Sequence, residues 1–188
     1  MELVSMTKDE LLRLLKAAKD ESETNWLMIA TTFWHGLRVS EVVGDKNHEG
    51  LTGKNVKDGY LYVKRLKNSE STNQPLIEHP EPLLNYKNAL ISQARMFPNA
   101  PLFSGITRYD FYHLMKRYGQ KAGIPSFKCK PHALKHTCAM LMLGPERNNI
   151  EKVRAHLGHK NLNSTGYYLK ITPEEAAKSF ADKMGGSI

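Results

Sequence analysis

Leu157-Gly158-His159-Lys160-Asn161-Leu162-Asn163-Ser164-Thr165-Gly166-Tyr167-Tyr168 is the stretch on which the reading of this chain turns. A Leu-Gly-His turn follows a helical run, and a polar loop rich in capping residues leads to paired tyrosines. As plain structure, His159 closes a helix and the tyrosines pack in a core or on its rim. That reading weakens once two upstream clusters are set beside it.

The first is Gly36-Leu37-Arg38-Val39-Ser40-Glu41. It puts Arg38 at a break between helices, where free backbone donors and a cation together suit an anion; the plainer alternative is a surface pair between Arg38 and Glu41. The second is Pro131-His132-Ala133-Leu134-Lys135-His136. His132 and Lys135 stand at i,i+3 and share a helical face. His132 and His136 have the spacing of a two-histidine metal site, but the glutamate of H-E-x-x-H is missing and Lys135 sits beside the imidazoles. Neither a metal nor a cofactor is expected.

The bulk properties narrow the partner. The chain has 188 residues, with 40% hydrophobic and 24% charged, which suits a single globular domain over 1–188. A net charge of +8 and a pI near 9.4 favour a polyanion such as nucleic acid, or an anionic membrane surface. The most hydrophobic window, Trp26 to Trp34, is too short to span a bilayer, which takes roughly 20 residues. Met1-Glu2-Leu3-Val4 lacks the regions of a signal peptide, and Cys129 and Cys138 are too few for a disulfide framework or a thiolate zinc site. The expected location is the cytoplasm, away from membranes.

Periodicity predicts a mixed α+β fold, mainly helical, with a small antiparallel sheet. Thr7-Lys8-Asp9-Glu10 is a capping box that opens a first helix with Leu11, Leu12, Leu14, Leu15 and Ala18 as its stripe. A second helix is expected from Trp26 to about His35, stopped by Gly36, and Ser40 is expected to cap a short third one. Asp58-Gly59 signals a hairpin beside Tyr60-Leu61-Tyr62-Val63. A second strand is expected around Pro75-Leu76-Ile77. Further helices are predicted over 81–95, 109–122, 132–143 and 150–156. Thr172-Pro173-Glu174-Glu175 opens a terminal helix over about 173–184.

Taken together and in this order, the three clusters resemble the tyrosine recombinase (phage integrase) family, and the match runs from the first helix to the last. The family carries an Arg in a Gly-Leu-Arg-x-x-Glu stretch, then a His-x-x-Arg pair, then Leu-Gly-His, then a nucleophilic Tyr nine residues beyond that His. The resemblance therefore implies Arg38, His132, His159 and Tyr168 as site residues, and it selects Tyr168 over Tyr167. It also implies a catalytic Lys in the turn of the small sheet, with Lys67 the best match and Lys64 the fallback. It further implies a double-stranded DNA partner, a 3′-phosphotyrosyl intermediate and self-association on DNA in a tetrameric synapse. In this picture the terminal helix docks on a neighbouring protomer or closes its own domain, and the N-terminal core-binding domain of the family is absent.

One position departs from the pattern: Lys135 stands where the family usually has a second Arg. Arg grips two phosphate oxygens with a rigid fork, whereas Lys is a mobile point charge. Losing one preorganised donor in such a site costs roughly 3–4 kcal/mol, or 10²–10³ in rate. That departure keeps open a catalytically weak or inactive DNA-binding module of the same fold. A type IB topoisomerase-like enzyme, which relaxes supercoils by the same chemistry, is the other alternative.

Overall fold

The computed structural model describes residues 4–144, 150–161 and Thr165. Helix α1 spans Lys8–Lys19 and opens on the expected box: Glu10 N–H donates to Thr7 Oγ1 (3.1 Å) and Thr7 N–H to Glu10 Oε2 (2.8 Å). Thr7→Ala is expected to cost about 1 kcal/mol, the usual value of such a cap, read as a shift in the urea midpoint; an unshifted midpoint would mean that the cap is dispensable.

Helix α2, Glu23–Trp34, starts three residues before the expected Trp26 because Ser22 Oγ accepts from Asn25 N–H at 3.2 Å. It is buried almost all round, through Trp26, Leu27, Met28, Ile29, Ala30 and Phe33. Helix α1 packs along one side of it. Gly36 stops it with φ +55°, a left-handed turn that favours glycine, and a Cβ there would press on the Leu157 side chain. Helix α3 spans Val39–Val43. Its N-cap is Arg38, not the expected Ser40, which lies inside the helix. Glu41 Oε2 takes the Arg38 backbone N–H at 2.8 Å and does the capping in place of a serine hydroxyl.

The sheet has order β1-β2-β3, all antiparallel: β1 Val56–Lys57, β2 Tyr60–Val63 and β3 Thr72–Pro75. Asp58 and Gly59 form the hairpin turn with φ of +51° and +78°, the geometry that matches strand twist. The third strand lies earlier than the expected Pro75-Leu76-Ile77. Its inward residues are the polar Thr72 and Gln74, so apolar alternation does not reveal it.

Helix α4 covers Lys87–Met96, shorter than the predicted 81–95 at its start. The preceding turn spends two carbonyls on indoles, with Trp26 Nε1–H donating to Leu83 O (2.8 Å) and Trp34 Nε1–H to Leu84 O (2.9 Å). Helices α5 (Arg108–Lys121), α6 (Pro131–Leu143) and α7 (Ile150–Leu157) agree with expectation to within one residue at each end. Helix α6 packs against both α2 and α7, and α7 rests on β3. The end of α2, the start of α3, the β2–β3 turn, α6 and the end of α7 therefore meet in one place. The predicted terminal helix over 173–184 lies outside the described residues, among which no helix is long and apolar enough to cross a membrane.

Candidate active site

At that meeting point stands a buried carboxylate, Glu41, whose side chain is 0% exposed. Its Oε1 accepts from Arg38 Nη1 (2.8 Å) and from the Leu66 backbone N–H (3.0 Å), and its Oε2 from Arg65 Nη1 (3.2 Å). Burial alone would raise this carboxyl's pKa. The Arg65 charge and the backbone donors of Arg38 and Leu66 more than offset that, and hold it below the ordinary value. The plain alternative for Arg38 was a surface pair with Glu41. The pair exists, but it is recessed, with Arg38 itself 17% exposed.

Arg38 Nη1 also donates to Leu66 O (3.1 Å) and Nη2 to Ser69 Oγ (3.3 Å). Both acceptors belong to the β2–β3 turn, so the arginine of the first cluster is oriented by the loop that carries Lys67.

Arg65 went unnoticed in the sequence, and it ties the site together. Besides Glu41 it donates to Gly36 O (3.0 Å), His35 O (2.7 Å), His156 O (2.9 Å) and Thr72 Oγ1 (3.1 Å). One side chain thus joins the end of α2, α3, the end of α7 and strand β3. Gln74 Nε2 adds a second bond to His156 O at 2.7 Å. His35 presents Nδ1 to Gln74 Oε1 (2.6 Å) and Nε2 to the Tyr86 hydroxyl (2.8 Å). Amide oxygen can only accept, so Nδ1 carries the hydrogen and Nε2 accepts from Tyr86.

Lys135, on α6, is 2% exposed, and its Nζ donates to Gly36 O at 2.9 Å. The same carbonyl therefore takes both Lys135 and Arg65. Burial, then the Arg65 and Arg38 charges, bring the Lys135 pKa down to about 7.

His132, one turn earlier on α6, is open to solvent on one side and faces the cluster on the other. Loss of water around part of its ring, then the charges of Lys135, Arg38 and Lys67, lower its pKa. Its ring meets His136 edge-on at 4.3 Å between centroids. Loss of water and the neighbouring His132 and Lys135 bring His136 to about 4. Among the described residues no three His, Cys, Asp or Glu side chains are grouped to hold a metal ion.

Lys67 and Asn68 form the tip of the β2–β3 turn, both left-handed at φ +54° and +57°. Lys67 is exposed and close enough for His132 to feel its charge. The fallback Lys64 lines a hollow with Lys54, Asn55 and Tyr62, which Glu41 and Leu66 also border. Two bonds tie the turn to the stretch after α7: Lys160 Nζ to Asn68 Oδ1 (2.8 Å) and Glu70 N–H to Gly158 O (2.8 Å).

His159 is buried, its Nδ1 lies 2.9 Å from Thr165 Oγ1, and its backbone N–H donates to Arg154 O (3.0 Å). Burial, followed by the charges of Lys135, Arg38, Arg65 and Arg154, drives its pKa to about 4. Arg38, Lys67, His132, Lys135 and His159 are thus brought together; Tyr168, with Tyr167, lies outside the described residues.

A signal for Arg65 was present in the strand alternation. Leu61 and Val63 point inward, so the next residue of that phase is Arg65, and it is buried like them. A charge on the inward phase of a strand is a request for partners.

The fold and this cluster of side chains define a class. A model of the phage integrase family matches residues 5–175, and the chain belongs to that family. It is similar to tyrosine recombinase XerA of Pyrococcus furiosus, at 30% identity covering 97% of this chain and 64% of that protein. XerA of Thermococcus kodakarensis is 28% identical over 93% of this chain and 61% of its own length. The chain thus spans about 60% of the curated relatives it matches. Among solved structures, XerH site-specific recombinase bound to difH substrate superposes with a TM-score of 0.70 at 20% identity, over 96% of this chain and 55% of that one.

Proposed function

We propose that this chain is the catalytic domain of a site-specific DNA recombinase that cuts and rejoins duplex DNA through a 3′-phosphotyrosyl intermediate. The observation that carries the reading is the convergence of Arg38, Lys135, His132 and His159 around one recess, tied together by Glu41 and Arg65. A phosphodiester is an anion, and its transition state gathers more charge on the nonbridging oxygens. Cations fixed at that point stabilise the transition state above the ground state.

Tyr168 attacks the scissile phosphate; a free phenol has a pKa near 10 and needs a base or nearby cations to be a nucleophile at neutral pH. His132, with its lowered pKa, is neutral and accepts that proton. Lys67 protonates the departing 5′-oxygen. His159 is neutral as well; with the Thr165 hydroxyl donating to Nδ1, its Nε2–H is a donor for a phosphate oxygen. The covalent bond conserves the phosphodiester energy, so a 5′-hydroxyl reseals the strand without ATP. The partner is double-stranded DNA, on which protomers assemble into a four-membered synapse in the cytoplasm.

The test is a suicide duplex, nicked so that the leaving strand escapes, incubated with the chain in EDTA and mapped by peptide mass spectrometry. A DNA–protein adduct through Tyr168 is expected. An adduct through Tyr167 would refute the assignment of the nucleophile, and no adduct at any salt would make the chain a DNA-binding module of the same fold.

A further inference from the structure

We propose that an oxyanion entering this recess is bound together with a proton taken from solvent, and that Lys135 is the group that receives it. The inference deepens the proposed function, in which that oxyanion is the scissile phosphodiester.

The geometry supplies an excess of positive charge that only one member can relieve. Arg38, ahead of α3, and Arg65, beyond β2, both bond to Glu41, and Lys135 shares the Gly36 carbonyl with Arg65. Two guanidiniums thus bond to one carboxylate, and Lys135 feels the charge of all three. The other groups that face Lys135 add no negative charge near neutral pH. His132 and His136 on α6, His156 on α7 and His159 just beyond it all have lowered pKa values, and all feel the Lys135 charge. Burial holds the Cys138 thiol of α6 up near 12, so it stays protonated.

A guanidinium cannot shed its proton in a protein, whereas a buried ammonium can. Lys135 is 2% exposed, and among the described residues its Nζ has the single acceptor Gly36 O. A neutral amine keeps that bond, since –NH₂ still has two hydrogens. An arriving oxyanion restores the missing negative charge, and the ammonium form becomes favourable again. Arg at this position would hold its charge whether or not the site was filled. Lys135 makes occupancy and protonation two sides of one equilibrium.

The sign follows from where the free amine titrates, at about 7 against an ordinary 10.5. Below that point Lys135 is charged in both states and binding is independent of pH. Above it the free site has lost the proton that the filled site keeps, so affinity falls as pH rises, by up to about tenfold per unit. Lys135→Arg abolishes that slope.

The experiment follows the Cε resonance of Lys135 by NMR in the whole chain with ¹³C-labelled lysine, assigned by its absence in Lys135→Arg. Sulfate is the probe, because it is a tetrahedral oxyanion that does not itself titrate near neutrality. The expected midpoint is near 7 in sodium chloride, rising by at least about one unit in sodium sulfate at matched ionic strength. A midpoint that sulfate leaves unmoved, or one already above about 9 in chloride, would overturn the proposal. The measurement needs no strand cleavage. An adduct with an unmoved Lys135 would refute the coupling alone, and a moved Lys135 with no adduct would refute the cleavage reading alone.

Discussion

Replacing Glu41 with alanine is expected to destabilise the chain by roughly 3–5 kcal/mol, the usual cost of leaving a buried partner charge uncompensated. Arg65 has a side chain with 0% exposure and pairs with this carboxylate. Once Glu41 is gone, the carbonyls of His35, Gly36 and His156 still accept hydrogen bonds from Arg65, but none of them neutralises it. The double change Glu41→Leu with Arg65→Met removes both charges together. It is expected to recover at least half of the lost stability, because apolar replacement of a whole buried pair is often close to neutral. The His156 carbonyl would keep Gln74 Nε2 and the Gly36 carbonyl would keep Lys135. The pH dependence has a definite sign. The folded-state pKa of Glu41 is lowered from 4.5, so its contribution is present above that value and is lost as pH falls through the lowered one. The gap between wild type and Glu41→Ala should therefore close in acid. Urea unfolding at neutral and acid pH checks both claims. A neutral-pH difference under about 1 kcal/mol, the scale of an exposed ion pair, would mean that Glu41 is not the counter-charge of this cluster.

Most of the helical frame was legible because its signals are local. The Thr7–Glu10 box, the Gly36 stop and the Asp58-Gly59 turn each act over four residues or fewer and reappear where expected. Two misplaced boundaries have different causes, a local competitor in one and distant partners in the other. Ser40 has the right chemistry to cap α3, yet Glu41 reaches back to the Arg38 amide and moves the start of the helix forward. Strand β3 shows polar residues inward because Arg65, His35 and the His156 carbonyl are waiting for Thr72 and Gln74. The site divides in the same way. The family resemblance pointed to Arg38, His132, Lys135 and His159, but i,i+3 spacing tells which face a residue shares and says nothing about depth. That Lys135 is buried beside two arginines comes only from the fold.

Arg38→Ala is expected to slow formation of the covalent DNA adduct by roughly 10²–10³-fold, the cost of one preorganised donor at a developing oxyanion. Most donors around the site are already committed. Arg65 spends its guanidinium on five acceptors inside the protein, and Lys135 offers a point charge. Arg38 gives Nη1 to Glu41 and Leu66 O, and one Nη2 hydrogen to Ser69 at the longer distance of 3.3 Å. Its Nε–H and second Nη2–H take no partner among the described residues. A guanidinium with uncommitted hydrogens on both Nε and Nη2 can offer them to the oxygens of one phosphate. Glu41 and the Leu66 carbonyl hold the other side of the plane, so the fork is aimed before any anion arrives. Binding should suffer much less than rate, because contacts to the rest of the DNA backbone supply most of the affinity. A single-turnover adduct assay with saturating suicide duplex isolates the rate, and salt-matched binding isolates affinity. A rate within about threefold of wild type, less than about 1 kcal/mol, would remove Arg38 from the transition state and leave it as a clamp between α3 and the β2–β3 turn.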